Sequence, residues 1–276
     1  MDYRAVTTIA LQELKINIRN KWTLIFALVF GALALAISYF GMVTAGLVGF
    51  QGFTRTVASL VNLVLYLLPL VSLTMATLSL TGEKGASELL FSQPVTRSEI
   101  LLGKFLGLFL SIVTATFFGF GLSGLVIASR VGTEGLARYL GFVGLALLLA
   151  LVFLSLGAMV AVLGRSQAKA FGLSLFLWFF FVLFYDLMVI GLTFVLKERT
   201  ANLFIFLSLF GNPVGMARVT SIFLVSDATV FGAAGAALLK FLGGRAASYT
   251  ILLAGLMVWT AVPLLIADRA LRRQDI

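Results

Sequence analysis

The chain has 276 residues, of which 61% are hydrophobic and only 11% charged, with a formal net charge of +9. Soluble domains hold about 45–50% apolar residues, so this composition excludes a soluble globular fold and indicates an integral membrane protein. Cys and His are both absent, which excludes disulfides, thiol chemistry and zinc or haem sites built on those ligands.

The fold class expected is all-α. A bilayer core about 30 Å thick requires roughly 20 apolar residues per helix, lipid offers no partners to unpaired backbone groups, and no alternating strand pattern recurs. Residues 1–21 read as an amphipathic interfacial helix: Leu11, Leu14, Ile18 and Trp22 share one face, and Gln12, Lys15 and Arg19 the opposite one. A plain extension of the first span is the alternative. The first span is too long for a signal-peptide core, so it is expected to stay as an anchor.

Residues 22–276 read as a six-helix transmembrane domain, with spans at Trp22 to Val43, Val57 to Leu80, Leu101 to Ala128, Tyr139 to Leu163, Phe171 to Leu196 and Tyr249 to Ala267. The Lys and Arg residues flank these spans instead of forming a stripe, which fits membrane orientation and not nucleic-acid binding. Leaving aside the long connection before the last span, twelve lie on the side of the termini and three on the other. Both termini are therefore expected in the cytoplasm. The long connection, residues 197–248, is expected outside, its apolar runs Leu203 to Phe210 and Val219 to Val225 too short to span and read as short helices on the outer surface. Small residues recur along the third span at Gly103, Gly107, Ser111, Ala115, Gly119 and Ser123. This groove serves close packing within the bundle or, alternatively, a dimer seam.

Between the second and third spans lies a polar island, residues 81–104, reading TGEKGASELLFSQPVTRSEILLGK. Pro94 interrupts the chain, Thr96 or Ser98 can cap the following helix, and Glu99 complements its positive dipole end. A short helix before Pro94 would project into the cytoplasm as a docking surface; a solvated loop is the alternative.

Chemistry is sparse. Asp186, beside Tyr185, is the carboxylate set well inside a predicted span, and it reads either as a polar contact on a pathway or as a hydrogen-bonded structural group. An intramembrane aspartyl protease needs two such carboxylates, a Ser-His pair or HExxH site needs His, and Gly103-Lys104 lacks the rest of a Walker A loop. ATP, if used, is bound by another chain. Met42, Met188, Met216 and Met257 are dispersed, which favours packing over Cu(I) ligation, and no metal or other cofactor site is expected in this chain.

The island resembles the second cytoplasmic segment of the ABC-2 permeases, the membrane subunits of ATP-binding-cassette transporters. Glu83, Gly85, Glu88, Leu89, Leu90, Ser92, Pro94, Val95, Thr96, Arg97, Glu99, Gly103 and Lys104 match its pattern, while the spacing to the first Gly and Ala86 at the usual Thr depart from it. The likeness extends over the whole chain, including an Asn212-Pro213 element with Arg218. Within the family the chain is similar to the permeases of transporters that assemble the copper centre of nitrous oxide reductase. The resemblance implies a type V exporter-like fold in a bacterial inner membrane and a second copy of the permease. It also implies two cytoplasmic ATPase subunits that bind ATP and Mg, and a periplasmic β-helical copper-chaperone-like partner. It assigns ATPase coupling to Glu83, Gly85, Glu88, Leu89, Pro94, Arg97 and Glu99, and periplasmic partner contact to Asn212, Pro213, Met216 and Arg218. A generic ABC-2 exporter of lipid, drug or polysaccharide and a structural membrane anchor remain the other readings.

Overall fold

A computed structural model describes residues 2–43, 53–81, 95–164, 166–196, 198–225 and 232–273. Helices account for nearly all of them: α1 (Tyr3–Arg19), α2 (Lys21–Val43), α3 (Phe53–Thr81), α4 (Arg97–Val131), α5 (Leu136–Leu163), α6 (Gln167–Phe179), a π turn (Phe180–Phe184), α7 (Tyr185–Thr193), α8 (Glu198–Ser208), a 3-10 turn (Leu209–Gly211), α9 (Pro213–Val225), α10 (Gly232–Phe241) and α11 (Arg245–Arg272). Among the described residues, five helical segments are long and apolar enough to cross a membrane: α3, α4, α5, the continuous α6–α7 and α11. Helix α2 occupies the first predicted span.

Helix α5 is the centre of the bundle. Its partners are α3, which shares the most extensive interface, then α11, α4 and α9. Gly157 permits the α3 approach, because a Cβ there would stand 2.8 Å from Ala76 Cβ and 2.9 Å from Leu73 O. A continuous apolar core follows, including Leu60, Leu68, Leu149 and Phe153. Near one end Phe120 meets the rings of Phe30, Tyr139 and Phe142 edge to face.

The small residues of the third predicted span are taken up inside the chain. A Cβ on Gly103 would stand 2.7 Å from Ile9, and one on Gly107 would stand 2.6 Å from Ala10 O, so α1 docks directly against α4. Farther along, Gly119 faces Gly31 and Phe30 of α2. At these glycines the groove is intramolecular packing. The face of α1 that packs is Val6, Ile9, Ala10, Glu13 and Asn17, whereas the predicted apolar face leaves Leu11 and Ile18 exposed. The helix thus has an additional face that the apolar pattern did not mark, because Glu13 and Asn17 sit in it.

The long connection departs from expectation. Helices α8 and α9 do not both lie on a surface: segments Leu203–Gly211 and Pro213–Leu224 meet at 107°, as a broken span or re-entrant loop. Val214, Met216, Ala217 and Phe223 of α9 are buried, and the helix packs on α3, α5 and α11. Pro213 at the first helical position and Asn212 before it create the sharp start, and the side chain of Asn212 accepts from Val214 N at 3.0 Å. The far end of α9 meets the starts of α5 and α11, with Leu224 on Gly141 and Arg245 Nη2 donating to Phe223 O at 2.8 Å. The two chain termini gather at the opposite end, called here the terminal end.

Candidate functional site

Two polar regions stand out, one at each level of the bundle. The first is at the terminal end, where the polar island rejoins the helices. Glu83, Gly85, Glu88, Leu89 and Pro94 lie outside the described residues, but both flanks of the island are defined. Thr96 caps α4 in a capping box: Glu99 N donates to Thr96 Oγ1 at 3.4 Å and Thr96 N donates to Glu99 Oε2 at 2.8 Å. Of the two predicted caps, Thr96 serves. Ser98 points elsewhere, donating to Asp268 Oδ1 of α11 at 2.5 Å.

Glu99 is buried and its other oxygen accepts from Asp2 N at 2.5 Å, which ties the start of α1 to the start of α4. Arg97 Nη1 donates to Leu271 O at 3.2 Å. On the other flank, Ser79 near the end of α3 donates its hydroxyl to Glu13 Oε1 of α1 at 2.8 Å, and its carbonyl accepts from Lys104 Nζ of α4 at 3.3 Å. Glu13 also accepts from Asn17 Nδ2 at 2.8 Å. Both Glu13 and Lys104 are buried, and the bonds supply the polar partners that burial demands. Helix α1 therefore bridges both ends of the island.

The second region surrounds Asp186, in the far half of α6–α7. Arg218 Nη1 of α9 donates to Asp186 Oδ2 at 2.7 Å, with side-chain exposures of 29% for Arg218 and 37% for Asp186. Asn212 Nδ2 donates to Asp186 Oδ1 at 3.2 Å and to Phe181 O at 3.0 Å. That carbonyl belongs to the π turn, where widening of the helix takes a carbonyl out of the i→i−4 ladder. The break between α8 and α9 creates the same need, since helix ends leave carbonyls without intrahelical donors. Tyr185 Oη donates to Ser208 O at 2.6 Å, and Trp259 Nε1 of α11 donates to Phe210 O at 2.9 Å. Every one of these bonds joins the re-entrant pair to a neighbouring span.

The geometry brings Tyr185, Asp186, Asn212 and Arg218 together, two sets that the sequence reading kept apart. Asn212, Pro213 and Met216, expected to contact an outside partner, are buried within this single chain, and Met216 packs so tightly on α11 that a Cβ on Gly255 would collide with its Cε. Asp186 is paired with Arg218 and hydrogen-bonded by Asn212. Among the described residues no group of three or more His, Cys, Asp or Glu is placed to hold a metal. Missed in the sequence were Glu13, Ser79, Trp259 and Asp268. For Ser79 and Asp268 the only signal was polarity at the edge of an apolar run, for Glu13 polarity within the first helix, and for Trp259 there was none.

The sequence profile of the ABC-2 family transporter proteins matches residues 7–276. A probable ABC transporter permease protein NosY of Pseudomonas aeruginosa is 34% identical over 277 residues, which cover 98% of this chain and 99% of that one. A probable ABC transporter permease protein NosY of Stutzerimonas stutzeri is likewise 34% identical over 279 residues, covering 98% of each.

Proposed function

The chain belongs to the ABC-2 family of transporter proteins, and from that premise we propose that it converts ATP hydrolysis in the cytoplasm into movement or transport directed to a partner across the membrane. It is a multi-pass permease subunit, is not itself an ATPase, and works with partner ATPase subunits. In the proposed assembly two copies of the permease sit in a bacterial inner membrane with both termini in the cytoplasm. Two ATPase subunits carrying ATP and Mg engage the island through Glu83, Gly85, Glu88, Leu89 and Pro94, with Arg97 and Glu99 at its base. A β-helical copper-chaperone-like protein is the partner on the periplasmic side, and the task served is maturation of the copper site of nitrous oxide reductase. That last step rests on likeness to the two NosY permeases.

The observation that carries the coupling reading is the attachment of the island's base. Asp2, Asp268 and Leu271 are all bonded to the three residues Arg97, Ser98 and Glu99. A push on the segment before Thr96 cannot be absorbed by that turn alone; it displaces α1 and α11 as well. Farther off, the re-entrant pair supplies an element whose position depends on α6–α7 and α11, suited to receiving such a displacement.

Purification of the intact assembly in mild detergent tests the proposal. The expected result is co-elution of the permease with an ATPase and a periplasmic β-helical protein, and loss of copper-site assembly in nitrous oxide reductase when the gene is deleted. Recovery with an ATPase alone and normal reductase would reject the maturation role.

A further inference from the structure

Helix α11 connects the two polar regions. At the terminal end Asp268 accepts from Ser98 at 2.5 Å through Oδ1 and pairs with Arg272 at 2.9 Å through Oδ2, while Leu271 O accepts from Arg97. Nearer the start of the helix Trp259 donates to Phe210 O at the tip of the re-entrant pair, and one turn further Gly255 seats Met216. Asp268 and Trp259 are therefore roughly 13 Å apart along one helix.

Pro263 stands between them, buried within α11. It lacks the N–H that would bond the Trp259 carbonyl, so that carbonyl leaves the helix ladder. Ser155 Oγ of α5 lies 3.3 Å from it, its single proton shared with the nearer Val152 O at 2.7 Å. Proline gives a helix a defined bending point. Here Pro263 falls between the attachment to α4 and the attachment to the re-entrant pair, beside the central helix α5.

We infer that α11 is the lever that carries displacement from the island's base to the re-entrant pair, with Asp268 as its input and Trp259 as its output. The inference rests on the coupling function proposed above and names its internal route. The bonds Ser98–Asp268, Arg97–Leu271 O and Trp259–Phe210 O each join a side chain to a group on another element, so displacement at one end of α11 bears on a fixed partner at the other. Neither Asp268 nor Trp259 touches cargo or nucleotide in this scheme; both are positioning residues. Such a route is established by measured coupling and not by adjacency alone.

The lack of native Cys allows a direct test. Cysteines introduced at exposed Leu203 on α8 and exposed Leu140 on α5 would carry spin labels in the complete assembly with its ATPase, reconstituted in lipid nanodiscs. The distance between labels is measured without nucleotide and with ATP plus vanadate. In the otherwise unsubstituted chain a nucleotide-dependent shift is expected. Asp268→Ala, Ser98→Ala and Trp259→Phe are each expected to lose most of it while keeping the assembly folded with its ATPase bound, at a melting temperature lowered only by the loss of a single hydrogen bond. Ser98→Ala removes the same bond as Asp268→Ala and leaves the Asp268–Arg272 pair, so it stands in if the latter fails to assemble. A full shift in either the Ser98 or the Trp259 variant overturns the lever. Absence of any shift in the unsubstituted labelled chain would instead overturn the coupling function itself.

Discussion

Replacing Gly107 by Ala should loosen α1 from α4. In a free helix that change gains about 1 kcal/mol in propensity. At this position the new Cβ would lie 2.6 Å from Ala10 O and 2.6 Å from Glu13 Cβ, and since carbon contacts are comfortable at about 3.5 Å, α1 must retreat by roughly 1 Å. One contact is backbone, so no rotamer change relieves it. The propensity gain is shared by the docked and undocked states, whereas overpacking of this kind costs the docked state alone about 1–3 kcal/mol, a factor of about 5–160 in the undocked population. Val6 is buried in the same interface, and Val6→Cys, a smaller side chain, supplies a unique thiol. Maleimide labelling of that thiol should rise by the same factor when Gly107→Ala is added. Gly144→Ala and Gly172→Ala, where a Cβ meets nothing within 4 Å, should leave labelling at the parent rate. Equal labelling in Gly107→Ala and these controls would refute the close-packing argument.

The re-entrant pair and the island's base give further expectations. Gly211→Ala would drive a Cβ into Tyr185 Oη, so it should lower the melting temperature, and adding Tyr185→Phe should restore part of the loss; simple additivity would contradict the clash. Tyr185→Phe alone should cost about 1 kcal/mol through its bond to Ser208 O, read as a lower melting temperature. Asp186→Asn and Arg218→Gln, each removing one charge from a pair about one-third exposed, should cost about 1–2 kcal/mol after allowance for solvent screening. The double variant should be less unstable than the sum, and a double-mutant cycle with no coupling would remove the pair as a fastener. Thr96→Ala should cost about 1 kcal/mol by loss of the α4 cap while Thr96→Ser retains it. Protease sensitivity at the α4 start distinguishes the two.

The spans were legible because apolar length is a direct response to the bilayer, and Lys21–Val43, Phe53–Thr81 and Leu136–Leu163 begin and end close to where hydropathy changes. The cap at Thr96 was legible for a local reason: its donors lie within three residues. The re-entrant pair was not, since Leu203 to Phe210 and Val219 to Val225 are each too short to declare a depth, and only contacts with α3, α5 and α11 draw α9 inward. Asn212 and Asp186 were noticed separately, but their meeting depends on a π turn that no pattern in FFFVLF announces. Trp259 reads in sequence as one more apolar residue of a span. Its N–H matters because of a carbonyl 49 positions earlier.

That separation also sets an order of events during synthesis. Helix α9 leaves the ribosome before α11, yet part of its seat and the donor for Phe210 O belong to α11. Until the last span arrives, the re-entrant tip holds a carbonyl whose final donor does not exist, and lipid is a poor place to wait. A chain ending before Trp259 would keep all the earlier spans and still be unable to close its interior. The final helix is thus also the step that completes the seat of the re-entrant pair in the nascent protein.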